Sequence, residues 1–285
     1  MKILVTGGTG RIGQALVDTL SQRNVSVRIL TRNQDARVAD GVEIAVGDLT
    51  EPDTVKAALA GVDRLFLLVG NVADELTQAL LTIATAREAG VGHVTYLSVM
   101  HPERFPGVPH FIGKLTVEGA LKASGLPYTI LRPGYFYQND LGFKDLLTGP
   151  GVYPSPIGSR GVAAVDVHDI AEAAAVTLTT DRHQGNTYDL AGPSVLTGPG
   201  VAEIWSAALG KQVNYVENTL ADFEQQLRHM VPAWYAMDMR LMFQTYQAEG
   251  LTPGQGVAAS LEQLIGHPPK SYDSFARATA AAWRS

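Results

Sequence analysis

Cysteine is absent from the 285 residues. That excludes disulfides, cysteine–zinc sites and a thiol nucleophile, and fits a reducing cytoplasm. Positive charge is also short: 22 Lys and Arg against 28 Asp and Glu give a net charge of −6. No basic run offers an electrostatic footprint for DNA or RNA, so direct nucleic-acid binding is not expected. Long apolar runs are missing too. The most apolar stretch, Leu65 to Val69, is far too short to span a bilayer, and Met1-Lys2 opens no readable signal peptide. The seven histidines contain no H-E-x-x-H or similar cluster, so no metal site is expected. What remains, with 46% hydrophobic and 18% charged residues, is the composition of an ordinary globular protein, expected in the cytoplasm.

The first twenty residues carry the clearest pattern. Ile3-Leu4-Val5 reads as a short buried strand, and it runs into Thr6-Gly7-Gly8-Thr9-Gly10-Arg11-Ile12-Gly13 and then a helix. Ile12, Leu16 and Leu20 recur four apart on one face of that helix. Glycines at 7, 10 and 13 let a backbone come close to a phosphate, and the helix N-terminus adds unpaired N–H groups and a positive dipole end. A dinucleotide cradle follows, with Gly13 expected to lie against the sheet.

Strand and helix signals then alternate. Strands are expected at 25–30, 42–46, 64–69, 93–98 and 128–131, with helices near 53–59, 73–89 and 111–123, which argues for a doubly wound parallel α/β sheet. Thr50 or Asp53 is the expected cap of the second helix, and Gly90 the stop of the third. The pattern breaks at Pro133 to Gly161, which is rich in Gly, Pro and aromatics, as binding loops often are. Beyond it come short strands near 162–165 and 186–190, an alanine-rich helix opened by His168-Asp169, and a mainly helical remainder. The expected organisation is a Rossmann domain over 1–150 and a smaller, mostly helical portion over 151–285 that covers the cofactor mouth. The 160–190 strands are expected to return to the Rossmann sheet.

The end of the second strand selects the nucleotide. NAD binders place a carboxylate there for the ribose 2′-hydroxyl, whereas this chain has Thr31-Arg32-Asn33. A guanidinium suits a 2′-phosphate, and Arg11 can approach it from the glycine turn, so NADP(H) is expected unless both arginines are merely solvated. Asp48 either accepts from the adenine amino group, with Leu49 on the ring, or serves as a turn aspartate. Val69 and Gly70 bring backbone close to the ligand at the fourth strand's end.

With Ser98, Lys114 and Tyr128-Thr129-Ile130-Leu131-Arg132-Pro133, these motifs resemble the short-chain dehydrogenase/reductase superfamily, specifically its atypical NmrA-like branch. That branch holds NADPH-dependent quinone oxidoreductases, triphenylmethane reductases and redox-sensing regulators. Val165-Asp166-Val167-His168-Asp169 and Tyr188-Asp189-Leu190 extend the resemblance over most of the chain. It implies that Gly7, Thr9, Gly10, Arg11, Ile12, Gly13, Arg32, Asp48, Leu49, Val69, Gly70, Ser98, Lys114, Pro133 and Tyr135 face the cofactor, with Lys114 on the ribose. One departure matters. The superfamily's Tyr-x-x-x-Lys has a tyrosine as general acid, but here the residue four before Lys114 is His110. His110 is either a proton donor or a surface loop histidine. Tyr135, in the aromatic run with Phe136, Tyr137 and Phe143, either faces the reacting groups or packs. A site without a dedicated acid suits hydride transfer to a flat conjugated acceptor such as a quinone, because delocalised charge needs little proton assistance. The alternative is a non-catalytic redox sensor with a protein partner. A monomer or a homodimer fits either.

Overall fold

The computed structural model describes residues 1–217 and 219–284. In chain order the elements are β1 (Lys2–Thr6), α1 (Arg11–Ser21), β2 (Ser26–Thr31), β3 (Glu43–Val46), α2 (Pro52–Leu59), β4 (Arg64–Leu67), α3 (Glu75–Glu88) and β5 (His93–Leu97). A short 3-10 turn, Pro102–Arg104, precedes α4 (Pro109–Ala123) and β6 (Tyr128–Pro133). There follow β7 (Tyr135–Phe136), a 3-10 stretch Tyr137–Phe143, α5 (Lys144–Thr148), β8 (Val152–Tyr153), β9 (Val162–Val165), α6 (Val167–Thr179) and β10 (Thr187–Leu190). The chain closes with β11 (Val195–Leu196), α7 (Gly198–Leu209), β12 (Asn214–Tyr215), α8 (Leu220–Leu227), α9 (Ala233–Glu249), α10 (Val257–Ile265) and α11 (Tyr272–Arg284).

The main sheet has seven strands in the order β10-β6-β5-β4-β1-β2-β3. β1 pairs in parallel with both β2 and β4, β2 with β3, β4 with β5, and β5 with β6. Strand order reverses at β1, so the crevice beyond the carboxyl ends of β1 and β4 is a topological switch point. Ile3, Leu4 and Val5 of β1 and Leu65, Phe66 and Leu67 of β4 are all 0% exposed, as expected of parallel strands covered on both faces. The alanines of α6 are buried where it packs against α1, and small side chains let the two backbones come close. No helix joins β2 to β3, and residues 32–42 form an open loop instead.

Two units are distinguished. The first is Met1–Pro106, His110–Arg132 and Val167–Tyr188, and the second takes Gly107–Pro109, Pro133–Asp166 and the chain from Asp189 onward. The chain therefore crosses at Pro133 rather than near residue 150, and α6 comes back to the first unit. The expected return of both later strands is corrected in part: β10 joins the main sheet, while β9 sits in a separate three-stranded sheet between β7 and β11. In the second unit, Trp205 of α7 stacks on Trp283 of α11 with ring centroids 5.1 Å apart. Among the methionines and aromatics of residues 230–246, Met242, Phe243 and Tyr246 are buried, while Met230, Trp234 and Met237 are exposed.

Local chemistry accounts for the helix ends. Neither Thr50 nor Asp53 caps α2. Its N-cap is Glu51, which makes no side-chain cap bond, and Pro52 follows at the helix start, where a missing N–H costs nothing. Thr50 is drawn away by Asp48, whose Oδ1 accepts from its amide at 2.9 Å and its hydroxyl at 2.7 Å. Gly90 follows the C-cap of α3 with φ +71°, as a helix stop requires.

Within the glycine turn, Gly7 has φ +65° and its carbonyl accepts from Gly10 N at 3.0 Å. A Cβ on Gly13 would stand 2.1 Å from the Gly7 carbonyl oxygen and 2.6 Å from Gly8 Cα. The reason for glycine at 13 is thus the turn itself, not the sheet. Gly13→Ala is expected to destabilise the protein by at least about 1–3 kcal/mol in denaturant unfolding, since backbone must move to admit the methyl group. A variant as stable as the parent would refute this account of the turn.

Candidate functional site

Beyond the carboxyl ends of β1, β2 and β4 lies a cavity of about 630 Å³, within the first unit. Of the residues expected to face a ligand, Gly7, Thr9, Arg32, Asp48, Leu49 and Gly70 line it. Thr6, Thr31, Asn33, Leu68, Val72 and Gln78 line it too, and were not expected. Thr6 was legible in principle, as the last residue of β1 before the first glycine. Val72 and Gln78 are not signalled by any spacing, because the β4–α3 connection and the start of α3 bring them there.

Thr6 anchors the floor. Its hydroxyl donates to the Leu68 carbonyl at 2.9 Å and accepts from Leu68 N at 2.8 Å, which ties β1 to the end of β4. Asp48 is both a turn aspartate and a cavity residue. Oδ1 is taken by Thr50, while Oδ2 lies 3.9 Å from Arg32 Nη1. The Thr50 amide and hydroxyl, and more weakly Arg32, hold the Asp48 carboxyl below the usual carboxylate range. The Arg32 side chain is 82% exposed at the cavity, so that pair is loose and easily exchanged for an arriving anion. The cavity thus offers a glycine turn that leads into α1 and an accessible guanidinium, while its one carboxylate at the β3 end is already engaged by Thr50. That set fits a phosphorylated dinucleotide.

The other expected residues are placed elsewhere. Gly10 is the N-cap of α1, Arg11 is exposed at its first position, and Ile12 and Gly13 are buried on its inner face. Val69 belongs to the core cluster with Leu65 and Val94. Ser98 donates to Glu118 Oε1 at 2.6 Å, and Lys114 is paired with Glu75 at 2.5 Å, both under α4. Glu118 also takes Arg132 in a two-point grip, with Nε at 2.8 Å and Nη2 at 2.6 Å. A buried polar layer of two ion pairs therefore underlies the β5–α4 corner. His110 lies in the first turn of α4, its ring edge-on to Phe111 at 4.7 Å.

Pro133 and Tyr135 belong to the second unit. Tyr135 is 8% exposed, and its hydroxyl lies 3.4 Å from both Asp140 Oδ1 and Ser155 Oγ. Tyr137 packs edge-on against Tyr272 at 5.2 Å, and Phe143 against Tyr153 at 6.0 Å. Within that unit this aromatic run is packing. Asp140 is its centre, accepting from Tyr135, Tyr153 and Tyr272, and the Tyr272 hydroxyl in turn accepts from Trp205 Nε1 at 2.8 Å. Burial pushes Tyr135, Tyr153 and Tyr272 well above the usual phenol range. Among the described residues no group of three or more His, Asp or Glu is arranged to hold a metal, and no helix is long and apolar enough to cross a membrane.

The sequence matches the NmrA-like family over residues 1–270. The chain belongs to the NmrA-like family. An NAD(P)H azoreductase of Xenophilus azovorans is 34% identical over 99% of each chain. Among solved structures, an NADPH-dependent quinone oxidoreductase of Escherichia coli in complex with NADPH superposes with TM-score 0.87 at 27% identity, over 99% of this chain and 100% of that one. Triphenylmethane reductase of Citrobacter sp. gives TM-score 0.87 at 25% identity, over 99% and 100%. NmrA-like membership thus agrees with the doubly wound sheet and with the cavity at its switch point.

One consequence concerns pH. Burial raises the Asp140 carboxyl from the usual 3.8 to about 7, against the three tyrosine hydroxyls that lower it. The folded protein then keeps a proton that the unfolded chain releases above pH 3.8. The linked stability is fully present below pH 3.8 and is lost as pH rises through about 7. Unfolding free energies for the parent minus those for Asp140→Asn should fall between pH 4 and pH 7 and level off above. A difference that stays flat across that window would contradict the assignment.

Proposed function

We propose that the chain is an NADP(H)-dependent oxidoreductase that reduces a flat conjugated acceptor of the quinone or azo class. The observation that carries this reading is the accessible Arg32 guanidinium on a switch-point cavity whose wall is the glycine turn. The nicotinamide cofactor supplies hydride when bound. Gly7, Thr9 and the start of α1 would hold its pyrophosphate, with Arg11 alongside. Arg32 would take the 2′-phosphate in a charge-assisted grip, giving up its loose contact with Asp48. Leu49 would pack on the adenine, and Asp48 would offer Oδ2 to its amino group.

Lys114 is the residue for the nicotinamide ribose. Glu75 holds its ammonium group in place inside the first unit, so the lysine contributes position and charge rather than a mobile proton. Ser98 acts on the same corner only through Glu118, which it supports together with Arg132. Similarity to an azoreductase, a quinone oxidoreductase and a triphenylmethane reductase supports an acceptor whose charge is spread over a conjugated system. Such acceptors ask the protein chiefly for orientation.

Two measurements test the reading. Mixing the protein with NADPH and a panel of quinones and azo dyes should oxidise NADPH above the blank. Tight NADPH binding with no oxidation by any acceptor would instead leave a cofactor-sensing protein. Arg32→Ala should weaken NADPH by about 1–3 kcal/mol in a fluorescence titration and barely change NADH. Equal losses for the two nucleotides would remove Arg32 from the 2′-phosphate.

A further inference from the structure

At the β3 end of the switch-point cavity, Asp48 and Leu49 already have a place in cofactor binding. The rim supplied by the β4–α3 connection and the start of α3 does not. It consists of Gly70, Val72 and Gln78. Val72 is 39% exposed there, so the rim presents an apolar surface beside an amide. Gln78 is half-buried, one turn into α3.

A neighbour decides which end of the Gln78 amide is left for a ligand. Asp74 is the N-cap of α3, and its Oδ1 accepts from Gln78 Nε2 at 2.9 Å. A carboxylate only accepts, so the nitrogen end must be the one turned to Asp74. The reversed amide would set two acceptors against each other. Residues four apart share a helix face, and a Gln–Asp pair at this spacing holds its members in place. The same turn is closed in the backbone, where Gln78 N donates to the Asp74 carbonyl at 3.0 Å. Gln78 Oε1 remains, and among the described residues nothing donates to it.

Asp48 ends in the same position at the β3 side. Thr50 occupies Oδ1 through its amide and hydroxyl, while Oδ2 has only the exposed Arg32 near it, at 3.9 Å. Leu49 and Val72 line the same cavity. Two acceptors and two apolar side chains suit a flat heteroaromatic ring that carries donors on its edge. They do not suit a ring that carries an oxygen there.

We propose that Gln78 is a specificity residue for the purine of the cofactor, its Oε1 and Asp48 Oδ2 together accepting from the adenine 6-amino group. The role rests on the NADP(H)-dependent reading above and extends it to the choice of base. An amino group has two N–H bonds in the plane of the ring, and each finds an acceptor. Hypoxanthine, the 6-oxo purine, has only lone pairs at that position and would turn them toward two further acceptors. Sites built to hydrogen-bond a ligand reject its analogue strongly when their own polar groups are left unpaired. The 2′-phosphate is a separate choice and stays with Arg32.

Fluorescence titration with NADPH and with reduced nicotinamide hypoxanthine dinucleotide phosphate tests this with no acceptor present. The two cofactors share every phosphate and the nicotinamide, and differ only on the purine edge. The parent should bind NADPH at least about tenfold more tightly. Gln78→Leu puts a good helix former at a half-buried helix position. It should weaken NADPH about fivefold, the worth of one net hydrogen bond, and leave the hypoxanthine cofactor at its parental affinity. Gln78→Glu supplies an acceptor again and should restore the preference for adenine. Equal parental affinity for the two cofactors overturns the proposal. So does a Gln78→Leu variant that loses nothing or loses both cofactors equally, or a preference that Gln78→Glu fails to restore. A parent protein that binds neither cofactor removes the NADP(H) reading of the cavity itself, and this role with it.

Discussion

The contact between the start of α1 and the Gly7 carbonyl sets the geometry of the ligand edge. At Gly13 the helix passes so close to the turn that even a methyl group has no room. That closeness aims the N-terminus of α1 back over the turn, and the positive φ of Gly7 lets the strand reverse quickly enough to meet it. Helix direction, turn shape and cavity wall are one constraint. Arg32 and Asp48, contributed by neighbouring strand ends, matter only because this wall stands where it does.

A second layer works differently. Under α4, Lys114 is paired with Glu75, and Arg132 with Glu118, largely out of water. Burying ions carries a heavy desolvation cost, and apolar residues of the same shape would often be at least as stable. What such pairs provide is fixed direction. Arg132 can hold Glu103 of the 3-10 turn after β5 because Glu118 holds Arg132, and Glu118 is kept in place by Ser98. The β5–α4 corner is thus ordered by directional bonds, whereas the switch-point cavity is ordered by backbone shape.

Much of this was legible in the residues. Glycine spacing, the apolar runs of β1 and β4 and the missing carboxylate after β2 announced the sheet and its cavity, since each is a local rule. The failures were equally physical. Thr50 looked like a helix cap but is claimed by Asp48, a competition that a propensity rule does not see. Val162 to Val165 has the composition of a central strand and pairs instead in a small separate sheet, because pairing partners are chosen by tertiary context. For Ser98 and Lys114, singled out by family resemblance, the partners Glu118 and Glu75 could not be read from the residues, because distant elements supply them. Gln78 at the cavity leaves no trace in composition or periodicity.

The Thr6 hydroxyl has a further consequence. Backbone pairing of β1 with β4 runs up to Val5 and Phe66, while on its other side β1 stays in register with β2 as far as Thr6 and Leu30. Where the β4 side of the ladder ends, a side chain bonds both polar groups of Leu68 and so adds one more rung. The sheet can therefore open on one flank only, at its switch point, without leaving an amide unsatisfied there. A crevice made this way costs the sheet little cohesion, and its floor is as firmly bonded as the strands beneath it.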